Sequence, residues 1–164
     1  ISTSQLEHPD FISMLTKVLQ QTQLPSDRLV IEVEESALNR KPALMSAVLS
    51  ELKQLNIDIA IDDFGAGLSS LSRLGSLPID CLKIDSSFSQ RLHEPQGKEL
   101  CQAMVQLANT LNICYIAEGI ETKAQKELLM GMGNGFGQGY HFGWPATAEI
   151  FAAEALSQLQ QAQA

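Results

Sequence analysis

Long apolar runs are missing from this 164-residue chain. None reaches the roughly 20 residues needed to cross a bilayer, so this segment is expected to make no membrane contact. Lysine- or arginine-rich runs are missing too. With 11 basic against 19 acidic residues and a formal charge of -8, the chain repels a nucleic-acid polymer on average, which excludes backbone-driven DNA or RNA binding. A small anionic substrate stays open if metal ions supply local positive charge. No CxxC spacing occurs among Cys81, Cys101 and Cys114. They are expected to be buried, reduced thiols of a cytoplasmic protein. His8, His93 and His141 lack metal-ligand spacing and read as surface or packing residues. No signal peptide is visible in these residues, which start without an initiator methionine. The segment starting Ile1-Ser2 is therefore expected to be a piece of a longer protein, whose anchoring through other domains stays open. No repeat or linker interrupts it, so residues 1–164 are read as one domain.

A hydrophobic content of 45% supplies a core. Phe11, Leu15, Val18 and Leu19 share one helical face, and Pro25 follows the stop. Leu29–Glu34 reads as a strand. Leu44, Val48, Leu52 and Leu55 form a second apolar stripe before a strand at Ile57–Asp62. A short helix is expected near Ser69–Leu74, then strands at Cys81–Asp85 and Ile113–Glu118 with a helix through Leu100, Met104, Leu107 and Leu111 between them. Thr122–Met130 is helical, Gly133–Tyr140 ends in a strand, and a weak helix starts at Thr147. Helices linking successive strands require parallel pairing. Five strands fall short of an eight-stranded barrel, which typically needs about 250 residues. Either a barrel lacks its first strands, or the sheet is open and doubly wound.

Five of these stretches run apolar and then deliver a polar group: Glu32, Asp62-Asp63, Lys83, Glu118 and Gln138. Convergence at strand ends is how a parallel α/β protein builds a metal-dependent site. Alternation along a strand points Asp62 and Asp63 in different directions. One carboxylate bridging two metals, with its neighbour on the second alone, suits that geometry, and oxygen ligands favour magnesium or manganese. The plain alternative is a pair capping the following turn. Gly65 and Gly67 around Ala66 make a tight loop before Ser69. Asp63-Phe64-Gly65 resembles a kinase metal motif, but no catalytic-loop signature accompanies it. Lys83, flanked by apolar residues, is expected either to be pushed towards neutrality beside metals or to orient a hydroxide or phosphate there, the alternative being an ion pair with Asp85 or another strand-end acid. Glu118 can ligate metal or take a proton from water. Glu121 can read a base edge or cap the next helix. Glu32, Glu34 and Glu35 crowd one strand end, where cations would relieve their repulsion; Glu35 faces elsewhere and holds a loop.

In order, these motifs resemble the EAL domain family of bacterial cyclic-di-GMP phosphodiesterases. They are Ile31–Ser36, Asp62–Ser70, Leu77–Asp85, Ala117–Thr122 and Gln138–Gly143. The resemblance implies an α/β fold, a modified TIM (β/α)8 barrel, present as a partial domain without its first strands. It implies hydrolysis of cyclic-di-GMP to linear pGpG with two Mg2+ or Mn2+ ions. Glu32, Asp62, Asp63 and Glu118 would be ligands, Asp62 bridging. Lys83 would contact the hydrolytic water, with Glu118 a further candidate base. Glu121 and Gln138 would meet substrate. Phe64, Gly65, Gly67 and Ser69 would form a loop, held by Glu35, that couples the site to a homodimer interface. The family's Glu-Ala-Leu segment and metal-binding asparagine are not among these residues, so the 164 residues alone are expected to show little or no turnover. Glu34 replaces a usual threonine, and Trp144 stands where a basic residue is common, predicting an altered phosphate or base contact. An inactive cyclic-di-GMP receptor is the alternative, and a dimerising scaffold the third reading.

Overall fold

A computed structural model of the chain describes residues 1–66 and 74–162. Gly67 and Ser69, and most of the short helix expected at 69–74, lie outside the described residues. Five parallel strands form one sheet: β1 (Val30–Glu34), β2 (Asp58–Phe64), β3 (Cys81–Ile84), β4 (Cys114–Ala117) and β5 (Phe136–Gly137). Their spatial order equals their sequence order, each paired parallel with the next. A doubly wound sheet needs a point where strand order reverses. The described strands have none, and the winding is that of a barrel.

The helices start and stop where the sequence dictates. α1 (Thr3–Leu6) opens on a capping box of Ser2 and Gln5. α2 (Phe11–Thr22) ends at Gln23, in the left-handed region at φ 57°. A short α3 (Ala37–Arg40) precedes α4 (Pro42–Gln54), which begins on proline, as do the 17 residues of a later helix, Pro95–Leu111. Proline suits that first position because its missing N–H would have no partner there. α5 (Ser86–Gln90) follows β3 directly, α6 is Pro95–Leu111, and Asn112 closes it at φ 58°. α7 (Lys123–Met130) opens on a Thr122–Gln125 capping box, and α8 (Ala148–Ala162) ends the described chain.

Strand alternation divides the sheet into an apolar and a polar face. Val33, Ile59, Ile61, Leu82 and Ile84 are fully buried and pack in one cluster with Met45, Leu49 and Leu52 of α4 and with Val105 and Ala108 of α6. Each such side chain contributes about 1.5–3 kcal/mol by leaving water. Register then fixes the other face: Glu32 lies opposite Ala60, Glu34 opposite Asp62, Lys83 opposite Ile116. Partners in a parallel pair point the same way, so Glu32, Asp62, Lys83 and Glu118 share that polar face.

The same register corrects the expectation for cysteine. Cys81 and Cys114 are direct partners on β3 and β4, with Cα atoms 4.5 Å apart, and their sulfurs form a disulfide. Residues 33 apart in sequence meet only because the strands pair, which a search for local CxxC spacing does not detect. Cys101 does match the expectation: it is free and buried, and burial pushes its thiol up to about 11. Closing a loop of this length restricts the unfolded chain by about 3–4 kcal/mol. Adding dithiothreitol is accordingly expected to lower the melting temperature clearly, and to leave Cys114→Ser protein unaffected. Equal melting with and without reductant in the parent protein would contradict the pairing.

Candidate active site

The buried centre of the polar face is Lys83, 4% exposed. Its ammonium meets Asp62 Oδ1 at 2.7 Å, Glu118 Oε1 at 2.8 Å and Glu32 Oε1 at 3.1 Å. An ammonium carries three protons, so each has an acceptor. Burial opposes the charge, but hydrogen bonds to the three carboxylates outweigh it, and the pKa of Lys83 lies above its ordinary value. Without ions the amine is held charged. The expected pairing with a strand-end acid is present, made to Asp62, Glu118 and Glu32 rather than to Asp85. That carboxylate instead caps α5, accepting from the Ser87 N–H at 3.1 Å.

Strict alternation would send Asp62 and Asp63 to opposite faces. The β2–β3 register shifts between Ile61 and Phe64, and Asp63 adopts a left-handed φ of 53°. Aspartate tolerates that region better than most residues. One oxygen from each of Asp62, Asp63 and Glu118 consequently lies within 4.8 Å of the others. The two neighbours therefore cooperate more closely than the alternation predicted. Glu32 stands outside this trio and joins it through Lys83.

These oxygens repel one another. The Asp63 carboxyl is held above its usual range by desolvation and by Asp62 and Asp85, with Lys83 only partly compensating. Glu118 is also raised, its burial outweighing the hydrogen bond from Lys83. A proton therefore competes with a bound cation at a higher pH than it would at free carboxylates. Titrating Mn2+ affinity downward from neutrality is expected to show a decline that starts above the ordinary carboxylate range. An affinity that stays flat until that range is reached would refute this. Lys83 acts with the opposite sense. Its pairing contributes fully below the unfolded value of 10.5 and is lost only as pH climbs through the higher folded value.

Glu35 is 4% exposed, and its carboxylate accepts the Gly65 N–H at 2.8 Å, while its own N–H donates to the Asp62 carbonyl at 3.1 Å. It thus ties the end of β1 to the turn after β2, the loop-holding role expected of it. Gly65 is required there: at φ 96° a Cβ would sit 2.7 Å from the Phe88 ring. Phe64 anchors the turn from the buried side, 2% exposed.

Glu121 and Gln138 line a neighbouring cleft of about 410 Å³ whose wall includes Glu118. Helix α7 is capped by Thr122 and Gln125, which leaves the Glu121 side chain to that cleft. Gln138 is placed by main-chain bonds, its N–H donating to the Ala117 carbonyl at 2.9 Å and its own carbonyl accepting from Ile120 at 3.0 Å. Ser86 and Gln90 of α5 also line the cleft. Sequence reasoning missed both; their one signal was their place in the first turns after β3, where loops above a parallel sheet contribute to sites.

Among the described residues no helix is long and apolar enough to cross a membrane. The chain is 37% identical over 154 residues to the bifunctional diguanylate cyclase/cyclic di-GMP phosphodiesterase MucR of Pseudomonas aeruginosa, covering 93% of this chain and 22% of MucR. It is 35% identical over 152 residues to the cyclic di-GMP phosphodiesterase PdeR of Escherichia coli, covering 92% of this chain and 23% of PdeR. It therefore spans under a quarter of the length of these curated relatives. Among solved structures, the PaMucR phosphodiesterase in complex with c-di-GMP superposes with a TM-score of 0.88 at 36% identity, covering 92% of this chain and 62% of that one. The sequential parallel sheet is thus most of this chain but only part of a TIM-barrel-like domain, one of the two alternatives that the strand count left open. The model of the EAL domain matches residues 1–145, and the chain belongs to the EAL domain family.

Proposed function

We infer that residues 1–164 are part of a phosphodiesterase domain that hydrolyses cyclic-di-GMP to linear pGpG with two Mg2+ or Mn2+ ions, as a homodimer in the cytoplasm. The observation that supports this most is the buried Lys83 ammonium bonded to three carboxylates beside a fourth, Asp63. Named relatives act on cyclic-di-GMP, and the acidic edge gives that dianionic ligand no reason to bind unless cations intervene. The donors fit such ions: all are hard carboxylate oxygens, and the pKa values of Asp63 and Glu118 are raised by desolvation and then by neighbouring carboxylates, which Lys83 only partly offsets. Glu32, Asp62, Asp63 and Glu118 would hold them. When bound, the ions would polarise the phosphoryl oxygens and lower the pKa of water.

The chain's own groups do the rest. Every Lys83 proton already has a carboxylate, so contact with the hydrolytic water requires one to let go. Glu32 is the candidate, with the longest contact, 3.1 Å, and the most exposed side chain, 45%. Glu118 is suited to receive the proton of that water because burial makes it a stronger base than an exposed carboxylate. Water adds to phosphorus as Glu118 takes one of its protons, the P–O bond to a ribose 3′-oxygen breaks, and that oxygen takes a proton from solvent, giving a terminal phosphate and a 3′-hydroxyl. Glu121 and Gln138 orient the nucleotide. Glu35, Phe64 and Gly65 would link this site to the partner subunit; Gly67 and Ser69, assigned the same role, lie outside the described residues.

The test is incubation of the complete domain, with its preceding segment, with cyclic-di-GMP and either ion, followed by chromatography of the products. Appearance of pGpG, abolished by chelation, is expected. Tight binding without pGpG at any Mg2+ or Mn2+ concentration would overturn hydrolysis in favour of a receptor.

A further inference from the structure

The bond between Cys81 and Cys114 lies on the same face of the sheet as the acidic cluster. Register places Glu32, Ala60, Cys81 and Cys114 in one row across β1 to β4. Side chains two residues apart on a strand share a face. Lys83 therefore follows Cys81 on that face, about 6–7 Å along the strand, and Glu118 continues the line of Cys114 and Ile116. The β3–β4 ladder is short. Its four pairs run from Cys81–Cys114 to Ile84–Ala117, and just beyond them the Glu118 N–H donates to the Ile84 carbonyl at 3.1 Å. The disulfide closes the first pair, and the Lys83–Glu118 ion pair, at 2.8 Å, spans the other end. A covalent clamp at one end of so few rungs sets the spacing at the other. It holds Glu118, on β4, close to Asp62 and Asp63 on β2.

The two sulfurs differ in access. Cys81 is buried, whereas Cys114 is exposed, so an incoming thiolate meets Cys114. Exposed disulfides are the labile, regulatory ones, and a disulfide in a cytoplasmic protein is usually transient or redox-sensing. We propose that Cys81 and Cys114 form a reversible redox couple that sets the cation affinity of the acidic cluster, high as the disulfide and lower as the dithiol. This rests on the cation reading above and adds a control to it. The reductant is a small thiol of the glutathione or dithiothreitol class. Its thiolate bonds to Cys114 Sγ, the S–S bond breaks, and Cys81 leaves as a thiolate that takes a proton from solvent. A second thiolate attacks the reductant's sulfur in the mixed disulfide, and Cys114 leaves and is protonated likewise. Two small thiols are oxidised to one disulfide while the protein gains two thiols. Unbonded sulfurs need full van der Waals separation, so β3 and β4 part at this pair. Glu118 then loses its fixed distance from Asp62 and Asp63, and binding an ion must restore what the disulfide had arranged in advance.

The experiment uses the complete domain and measures Mg2+ binding by calorimetry, before and after reduction, well below the melting temperature. Mg2+ is the probe because a hard cation leaves thiols alone. Thiol titration follows the couple, since Cys81 and Cys114 become reactive only on reduction while Cys101 is free throughout. Reduction is expected to raise the Mg2+ Kd about 5-fold or more. Cys114→Ser should show that higher Kd without reductant and keep it when dithiothreitol is added. Coupling is reciprocal, so saturating Mg2+ should make the disulfide harder to reduce by the same factor, read as the ratio of disulfide to dithiol in dithiothreitol redox buffers. That readout needs no variant, and a general loss of stability does not produce it. Thiols at Cys81 and Cys114 that persist in oxidised dithiothreitol overturn the couple. A Mg2+ Kd that is equal in both forms, or lower after reduction, overturns the control and leaves the cation site standing. No Mg2+ binding by either form overturns both.

Discussion

Lys83→Met is expected to reduce cyclic-di-GMP turnover by about 100-fold or more and to destabilise the cation-free protein. Methionine fills nearly the same volume, so the effect isolates charge and hydrogen bonding from packing. Removing one member of a fully buried ion pair costs about 3–5 kcal/mol. Here the lysine is 5% exposed but its partners are 17–45% exposed, which lets water screen the abandoned carboxylates. A loss of about 2 kcal/mol is the better expectation. The carboxylates freed in this way lack their only close cation among the described residues, so Mg2+ or Mn2+ should raise the melting temperature of Lys83→Met by more than that of the parent. Thermal melts with and without ion check both parts. A variant that melts like the parent without ion, or gains no more from it, would show that Lys83 does not hold the cluster together.

Asp63→Asn is expected to separate activity from stability in the opposite way. Turnover should fall by about 1,000-fold, because a carboxylate that holds charge beside the reacting phosphate is lost. The fold should be as stable or slightly more so. Asparagine accepts the left-handed φ of 53° at this position as aspartate does. It also removes a charge that its surroundings disfavour. A raised carboxyl pKa means that the protonated form is the stabilising one, its contribution present below the ordinary value and lost as pH rises through the folded value. At neutral pH the cation-free protein therefore carries this repulsion in full, and asparagine relieves it. Asp63→Ala would make the point from the other side, giving up about 1–2 kcal/mol to the backbone conformation. Melting and product assays on the two variants decide the matter; clear destabilisation by Asp63→Asn would mean that the carboxylate has a structural role in the turn. Such a trade of stability for function is common where like charges are gathered for catalysis.

Strand ends and side-chain types were readable because both have short-range signatures. An apolar run closed by Glu32, Lys83 or Glu118 announces a buried strand with a polar tip, and alternating helical stripes enforce parallel pairing. What needed the fold were relations between strands. The three-way bonding of Lys83 depends on acids delivered by β1, β2 and β4, whereas the sequence offered a single strand-end acid, Asp85 or another, without saying which. The Cys81–Cys114 bond likewise depends on register. The joint approach of Asp62 and Asp63 depends on a single positive φ and a shifted pairing, a local exception to the alternation that served well elsewhere. Choosing between the barrel and the doubly wound sheet was beyond the pattern of elements, because both produce the same succession of strands and helices; only spatial order separates them.

The Glu35 carboxylate and the Phe88 ring leave the backbone from Asp63 to Gly65 without slack. One grips the Gly65 amide at 2.8 Å, and the other occupies the space into which a bulkier residue would swing. Anything that tugs the polypeptide just past Gly65 must either break the hold of Glu35 on it or drag the Asp63 carboxylate along. Occupancy of the ion site then becomes a gauge of tension applied from outside it, and Glu35→Gln, by slackening the line, should leave ion affinity deaf to such pulling.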